Sequence, residues 1–222
     1  MTDRYDEALS FLREARAIHI VPELEARFVG LVSHFGFERT SCVLIAEPGR
    51  AIRPKVLLGV GDSAARNRYI NTGRFHIDPT FVAVFSQTRA FTWTDIEPLA
   101  TGEEARQLFA DARRDETEGL IVPVHGAYGQ VSAVVLTGRA PDVSEQARAV
   151  LQACGAMFAV AGAQLLELEN DGPTSTALTR RETQALVWLA RGKTVPELAT
   201  TLEISIGTAK THLDRAKAKL GY

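Results

Sequence analysis

The sequence predicts an α+β protein: an α/β/α sandwich domain with a largely antiparallel sheet, followed by a small all-α domain. Three observations predict it. Apolar residues recur at helical spacing, then in short β-branched runs, then at helical spacing again before two more strands and one long helix. That order suits a sheet with helices on both faces. The run "NDGPTSTA", 170–177, gathers Asn, Asp, Gly, Pro, Ser and Thr between two helical patterns and reads as a linker. Beyond it lie three short helices, each opened by a hydroxyl residue at a capping position. The domains are therefore drawn at 1–169 and 178–222.

In chain order, residues ~4–16 and ~22–35 read as amphipathic helices. The second ends at "HFGF", with Gly36 where a helix terminus favours glycine. "TSCVLIA" (40–46) and "KVLLGV" (55–60) read as strands joined by the turn-rich "EPGRAIRP". Residues ~62–115 read as helical or irregular. "GLIVPVHG" and "GQVSAVVLTG" are two strands joined tightly around Gly126 and Gly129. The helix at ~143–169 places Ala147, Leu151, Cys154, Phe158, Ala161 and Leu165 at helical spacing. Its Gly155, Ala159 and Gly162 leave little side chain on the surface. It is therefore a core helix packed on the sheet, a helix shared between core and a second copy, or both.

Composition narrows the function classes. The 222 residues are 45% hydrophobic and 23% charged, as in soluble globular proteins. No apolar run approaches the ~20 residues of a membrane span, and the N-terminus has no signal-peptide core, so a cytoplasmic protein is expected. Cys42 and Cys154 are the only cysteines. They read as buried small hydrophobes, and neither a disulfide framework nor a metal site is expected. Residues 178–222 carry eight Lys/Arg against four Asp/Glu, while residues 1–177 carry 17 against 23. A basic tail on an acidic body points to a polyanion partner for the tail.

The tail itself reads as a DNA-binding unit. Its first helix starts at Thr179 with Glu182 three residues on, and its second at Thr194 with Glu197 three residues on; both fit capping boxes. Pro196 sits in the first turn of the second helix, where a missing N–H costs little. Glu203–Ser205 form the turn, with Ser205 capping the third helix. That helix is expected to bury Ile206, Ala209, Leu213, Ala216 and Leu220. Its outer face holds Gly207, Thr211, Asp214, Arg215 and Ala218, with Thr208 and Lys210 on the flanks. Two helices joined by a short turn, the second basic outside, make a helix-turn-helix for double-stranded DNA. Asp214 is repelled by phosphate unless it accepts from a cytosine amine.

"LTRRETQALVWLARGKTVPELATTLEISIGTAKTHLDRAKAKLG" resembles the DNA-binding domain of LuxR-type regulators. The matching residues include Leu178-Thr179, Arg181-Glu182, Trp188-Leu189-Ala190, Ile204-Ser205, Thr208, Lys210, His212-Leu213 and Lys219-Leu220-Gly221. The resemblance implies a fourth helix, which is not expected within the tail up to Tyr222. Dimer pairing is then expected from the first domain, through the helix at 143–169. A receiver domain in front is a poor fit, because no paired acids follow an early apolar strand. The first domain instead resembles the quorum-sensing members over residues ~60–137, whose ligand is an acyl-homoserine lactone. Tyr69, Asp78-Pro79, Trp93 and Gly119 stand at the family's spacing.

In that resemblance a buried Asp78 accepts a ligand amide N–H, Tyr69 donates to a carbonyl, Trp93 forms an aromatic wall, and Thr80 is a further donor. Two positions depart from the pattern. Ala65 stands where the family usually has a lactone-binding Trp, and Val135 where it often has Ser or Thr. The main reading is thus a homodimeric transcription regulator controlled by an acyl-homoserine lactone or related small amide, with no cofactor. One alternative is a regulator that needs no ligand, or that pairs with a complete homologue. The other is a small hydrolase using His76, His125 and Asp78, which no nucleophile motif accompanies.

Overall fold

The computed structural model describes residues 3–47, 52, 54–60, 63–115, 118–126, 129–170 and 178–220. Among these, the strands are β1 (Arg39–Ala46), β2 (Lys55–Val60), β3 (Phe91–Thr92), β4 (Glu118–His125) and β5 (Val131–Gly138). They form one antiparallel sheet in the order β2-β1-β5-β4-β3. β3 falls inside the region expected to be helical or irregular. Two residues are too short to show the period-two alternation by which a strand is read.

Helices cover both faces. On one lie α1 (Arg4–Glu14), α2 (Val21–Ser33) and α7 (Glu145–Asn170). Their core is aromatic: the Phe28 and Phe158 rings stack at 4.1 Å, and Phe11 packs on Phe28. The small residues of α7 serve this packing. A Cβ on Gly155 would sit 3.2 Å from Val122, and one on Gly162 would sit 2.0 Å from Leu58, so α7 lies directly on the sheet there. By length and composition α7 could span a bilayer, although Arg148 and Gln152 interrupt its apolar run. In this fold its Ala147, Leu151, Cys154, Phe158, Ala161 and Leu165 are buried. Burial pushes the Cys42 and Cys154 thiols up to about 12, so both stay protonated near neutral pH.

The opposite face carries α4 (Pro79–Ser86), α5 (Trp93–Ile96) and α6 (Glu103–Asp115). Ala83, Val84, Trp93, Ile96, Ala105 and Phe109 from these helices pack with Ile45, Ile121, Val131 and Ala133 of the sheet. α3 (Ser63–Asn71) lies against β2 at the sheet edge. A side chain meets backbone groups at or beside each edge. Glu25 accepts from the Gly59 N–H of β2 at 2.7 Å. Gln152 accepts from Ala90 N–H at 2.9 Å beside β3 and donates to the Thr88 carbonyl at 3.1 Å. Unpaired edge groups, which invite pairing with other chains, are blunted in this way. Gly36, at φ +81°, lets the turn after α2 run against the end of β5: a Cβ on Gly138 would meet the Gly36 carbonyl oxygen at 2.2 Å.

The chain divides into two compact units, Met1–Leu165 and Leu166–Tyr222. Most of the sequence-read linker, 171–177, lies outside the described residues. In the second unit α8 (Arg180–Ala190), α9 (Val195–Thr201) and α10 (Ile206–Leu220) pack around Ala185, Leu198, Ala199, Leu202, Ala209 and Leu213. Both capping boxes form as read, at Thr179/Glu182 and Thr194/Glu197. The buried face of α10 is shorter than expected. Ala209, Leu213 and Ala216 are buried, but Ile206 and Leu220 are more than half exposed. These two share the apolar stripe yet occupy the end turns of α10, where periodicity places a residue on a face without saying how far along the helix its neighbours reach.

Candidate functional site

The sheet face beneath α3–α6 brings several of the expected ligand residues together. Asp78 follows a turn from the end of α3 and is the N-cap of α4, with Pro79 in the first helical turn. One carboxylate oxygen accepts from Thr80 N–H at 2.8 Å, satisfying a helix-end donor. The other accepts from the Tyr69 hydroxyl at 2.6 Å, bridging α3 to α4. Asp78 is half-buried rather than fully buried, because the same carboxylate must sit at the helix end. Burial pushes the Tyr69 phenol well above its usual range, and the negative Asp78 adds to this, so Tyr69 remains a donor. An ionised carboxylate has about four lone-pair directions. Two are used, which leaves acceptor capacity for an incoming N–H.

Trp93 is buried in the apolar cluster on the same face of the sheet. It opens α5 behind the N-cap Thr92, and a capping box between Thr92 and Asp95 sets that helix start. Asp95 is also held by Arg148 of α7 at 2.6 Å. Burial raises the Asp95 pKa, but the hydrogen bonds from Thr92 and the Arg148 guanidinium outweigh it and hold it below the ordinary value. The indole of Trp93 lies flat on Gly119: a Cβ at Gly119 would sit 2.4 Å from its Cε2. Gly119→Ala is therefore expected to push Trp93 off the sheet and destabilise the first unit by about 1–3 kcal/mol, the usual cost of overpacking. Thermal unfolding with Trp93 fluorescence checks this. An alanine variant with unchanged stability and emission would show that the indole tolerates displacement.

The remaining candidates fall as follows. Val135, half-buried on β5, packs against the cluster that contains Trp93, Ile121 and partly buried Phe81. Thr80 is half-buried, and its recorded bond is through its backbone. Ala65 lies on α3, with its side chain outside the described residues. Asp78 is bonded to Tyr69 and Thr80, His125 Nε2 lies 3.1 Å from the Val84 carbonyl, and His76 is exposed with its ring against Phe75. Among the described residues no hydrogen bond links these three. Arg148 and Gln152, which brace the Trp93 segment from α7, escaped the sequence reading. Only the Thr92-x-x-Asp95 spacing hinted at an ordered helix start there.

In the second unit, the outer surface of α10 is built from its N-terminus. Ser205 Oγ accepts from Thr208 N–H at 3.0 Å and lies 2.7 Å from the Thr208 hydroxyl. The Thr211 hydroxyl donates to the Gly207 carbonyl at 3.0 Å. Its hydrogen is thereby spent on the helix, so the methyl group and an acceptor lone pair remain for a partner. Gly207, Thr208, Lys210, Thr211, Asp214, Arg215 and Ala218 are all exposed. Lys210 and Arg215 flank a centre of small residues and one acid. Among the described residues no ion pair involves Asp214. The helix is tied down at its far end, where Lys219 Nζ meets the buried Glu182 carboxylate at 2.9 Å.

Two known families match parts of the chain. Residues 21–161 match the family described as autoinducer binding domain, and residues 176–222 match bacterial regulatory proteins, luxR family. The transcriptional activator protein BjaR1 of Bradyrhizobium diazoefficiens is 28% identical over 97% of this chain and 89% of its own length. The quorum sensing-dependent transcriptional regulator RpaR of Rhodopseudomonas palustris is 29% identical over 96% and 87%. Among solved structures, Escherichia coli SdiA superposes with a TM-score of 0.65 at 19% identity, covering 99% of this chain and 92% of that one.

Proposed function

We propose, from the premise that the chain belongs to the luxR family of bacterial regulatory proteins and carries an autoinducer binding domain, that it is a cytoplasmic, homodimeric transcription regulator controlled by an acyl-homoserine lactone or related small amide. The observation that carries the ligand class is the Tyr69–Asp78 pair on the face that buries Trp93. An amide offers what that site takes: an N–H for the spare lone pairs of Asp78 and apolar surface for the indole, while the Tyr69 hydrogen is held by Asp78. Pairing of two copies runs through the outer side of α7, where Ala149, Ala153 and Val160 are exposed.

α10 enters the major groove. Lys210 and Arg215 meet phosphates on its flanks, Thr208 lies at its N-terminal end, Thr211 offers its methyl to thymine, and Asp214 accepts from a cytosine amine. Binding of the full chain to duplexes selected from a random pool, over a range of salt, tests this. Lys210→Ala and Arg215→Ala should each weaken binding across sequences and flatten the log–log salt slope by about one unit. Thr211→Ala should change base preference with the slope retained. Unchanged binding in all three would remove α10 from the groove.

The apolar Val135 favours a second reading, a regulator that acts without a ligand or by pairing with a complete homologue. Saturating straight-chain N-acyl-homoserine lactones would then leave its unfolding temperature unchanged. Native mass spectrometry of protein expressed with and without these lactones separates the two: a retained lactone mass supports the first reading.

A further inference from the structure

Resting on the amide-ligand reading above, we propose that Ser41 supplies the hydroxyl that Val135 does not. The strand register places it there. Ser41 of β1 stands directly opposite Val135 of β5, and Val135 in turn opposite Ile121 of β4. On the other side Ser41 faces Gly59 of β2. Directly opposed residues share one face of a sheet, so Gly59, Ser41, Val135 and Ile121 form a single row. That face is the one beneath α4–α6, because Val43 and Ile45, which alternate with Ser41 along β1, join the cluster containing Trp93.

Three features make Ser41 suited to binding. It is half-buried among apolar neighbours, where a hydrogen bond is worth more than in water. Among the described residues its hydroxyl has no hydrogen-bond partner. A serine hydroxyl brings one donor and two acceptor lone pairs, which suit a carbonyl. Gly59 keeps the edge side of Ser41 clear: a Cβ there would lie 3.1 Å from the Ser41 Cβ. Opposed Cβ atoms are about 5 Å apart. The hydroxyl is thus moved one strand toward β2, against which α3 lies, and α3 carries Tyr69. The acyl carbonyl of the ligand is held on the Tyr69 side of the site rather than beside β5.

The test uses the full chain and straight-chain N-acyl-homoserine lactones, titrated by calorimetry. Ser41→Ala should weaken binding about tenfold, close to one hydrogen bond. The double variant Ser41→Ala/Val135→Ser returns a hydroxyl to the neighbouring position and should recover part of the loss. An analogue whose acyl carbonyl is reduced to methylene should bind wild type and Ser41→Ala alike. A wild-type chain that takes up none of these lactones removes the ligand reading itself. A wild-type chain that binds them while Ser41→Ala binds equally well overturns the role of Ser41 alone.

Discussion

Replacing Glu182 by alanine is expected to cost the second unit about 2–4 kcal/mol and to remove most specific DNA binding. Glu182 is only 2% exposed, yet it makes three hydrogen bonds to two residues. Its carboxylate accepts from Thr179 N–H at 2.8 Å and from Lys219 Nζ at 2.9 Å, and its own N–H donates to the Thr179 hydroxyl at 3.3 Å. Losing the bond from Thr179 N–H costs about 1 kcal/mol, and the charge-assisted hydrogen bond from Lys219 about 1.5–3 kcal/mol. Domains hold only about 0.05–0.15 kcal/mol per residue, so a unit of roughly 50 residues has little reserve. The same contact ties the start of α8 to the end of α10. Its loss frees the helix proposed to read DNA. Trp93 and Trp188 are the only tryptophans, one in each unit. In a Trp93→Phe background, Trp188 fluorescence during urea unfolding reports the second unit alone. A Glu182→Ala midpoint equal to that of the parent would refute the argument.

The same residue fixes an acid limit. Burial alone would raise the Glu182 pKa, but the Lys219 ammonium and the Thr179 N–H outweigh it and hold it below the ordinary 4.5. A carboxylate whose folded pKa is depressed contributes stability above its unfolded pKa and loses it as pH falls through the folded value. The second unit should therefore be unaffected by this group from neutrality down to about pH 5. It should weaken below the ordinary 4.5. Glu182→Gln should remove that dependence.

How much of this was legible in the sequence depended on the range of each interaction. Capping boxes at Thr179 and Thr194 and the apolar stripe of α7 are local patterns, and the structure repeats them. Contacts made across the fold left no such trace. Lys219 lies 37 residues from Glu182, and nothing in its spacing on α10 marks it as a partner. Gly119 was visible as a family position, but its physical reason, the Trp93 ring lying on it, needs two strands in register. Gly155 and Gly162 suggested close approach without saying to what; the sheet occupies that side. Ser41 stood in a strand that was read correctly. Only its pairing with Val135 gives it a place beside the site.

Asp78→Asn is expected to weaken lactone binding by more than tenfold while leaving the fold nearly intact, and the asymmetry between these effects is the informative part. Asn is about as good an N-cap as Asp, so its side-chain oxygen can keep the 2.8 Å bond from Thr80 N–H that starts α4. The other end of the side chain becomes an NH2 group. It cannot accept from the Tyr69 hydroxyl, which Asp78 now receives at 2.6 Å, nor from an amide N–H. Loss of a charge-assisted bond of about 1.5–3 kcal/mol corresponds to roughly ten- to a hundredfold in affinity. Asp78→Ala should add a stability loss of about 1 kcal/mol, because the cap goes as well. Tyr69→Phe should keep both the cap and the acceptor, and so should fall between wild type and Asn in affinity. Calorimetric titration with straight-chain N-acyl-homoserine lactones, alongside thermal unfolding without them, measures both effects. Equal loss of stability in Asn and Ala variants, with unchanged lactone affinity in Asn, would reduce Asp78 to a structural cap and leave the Trp93 face without its acceptor.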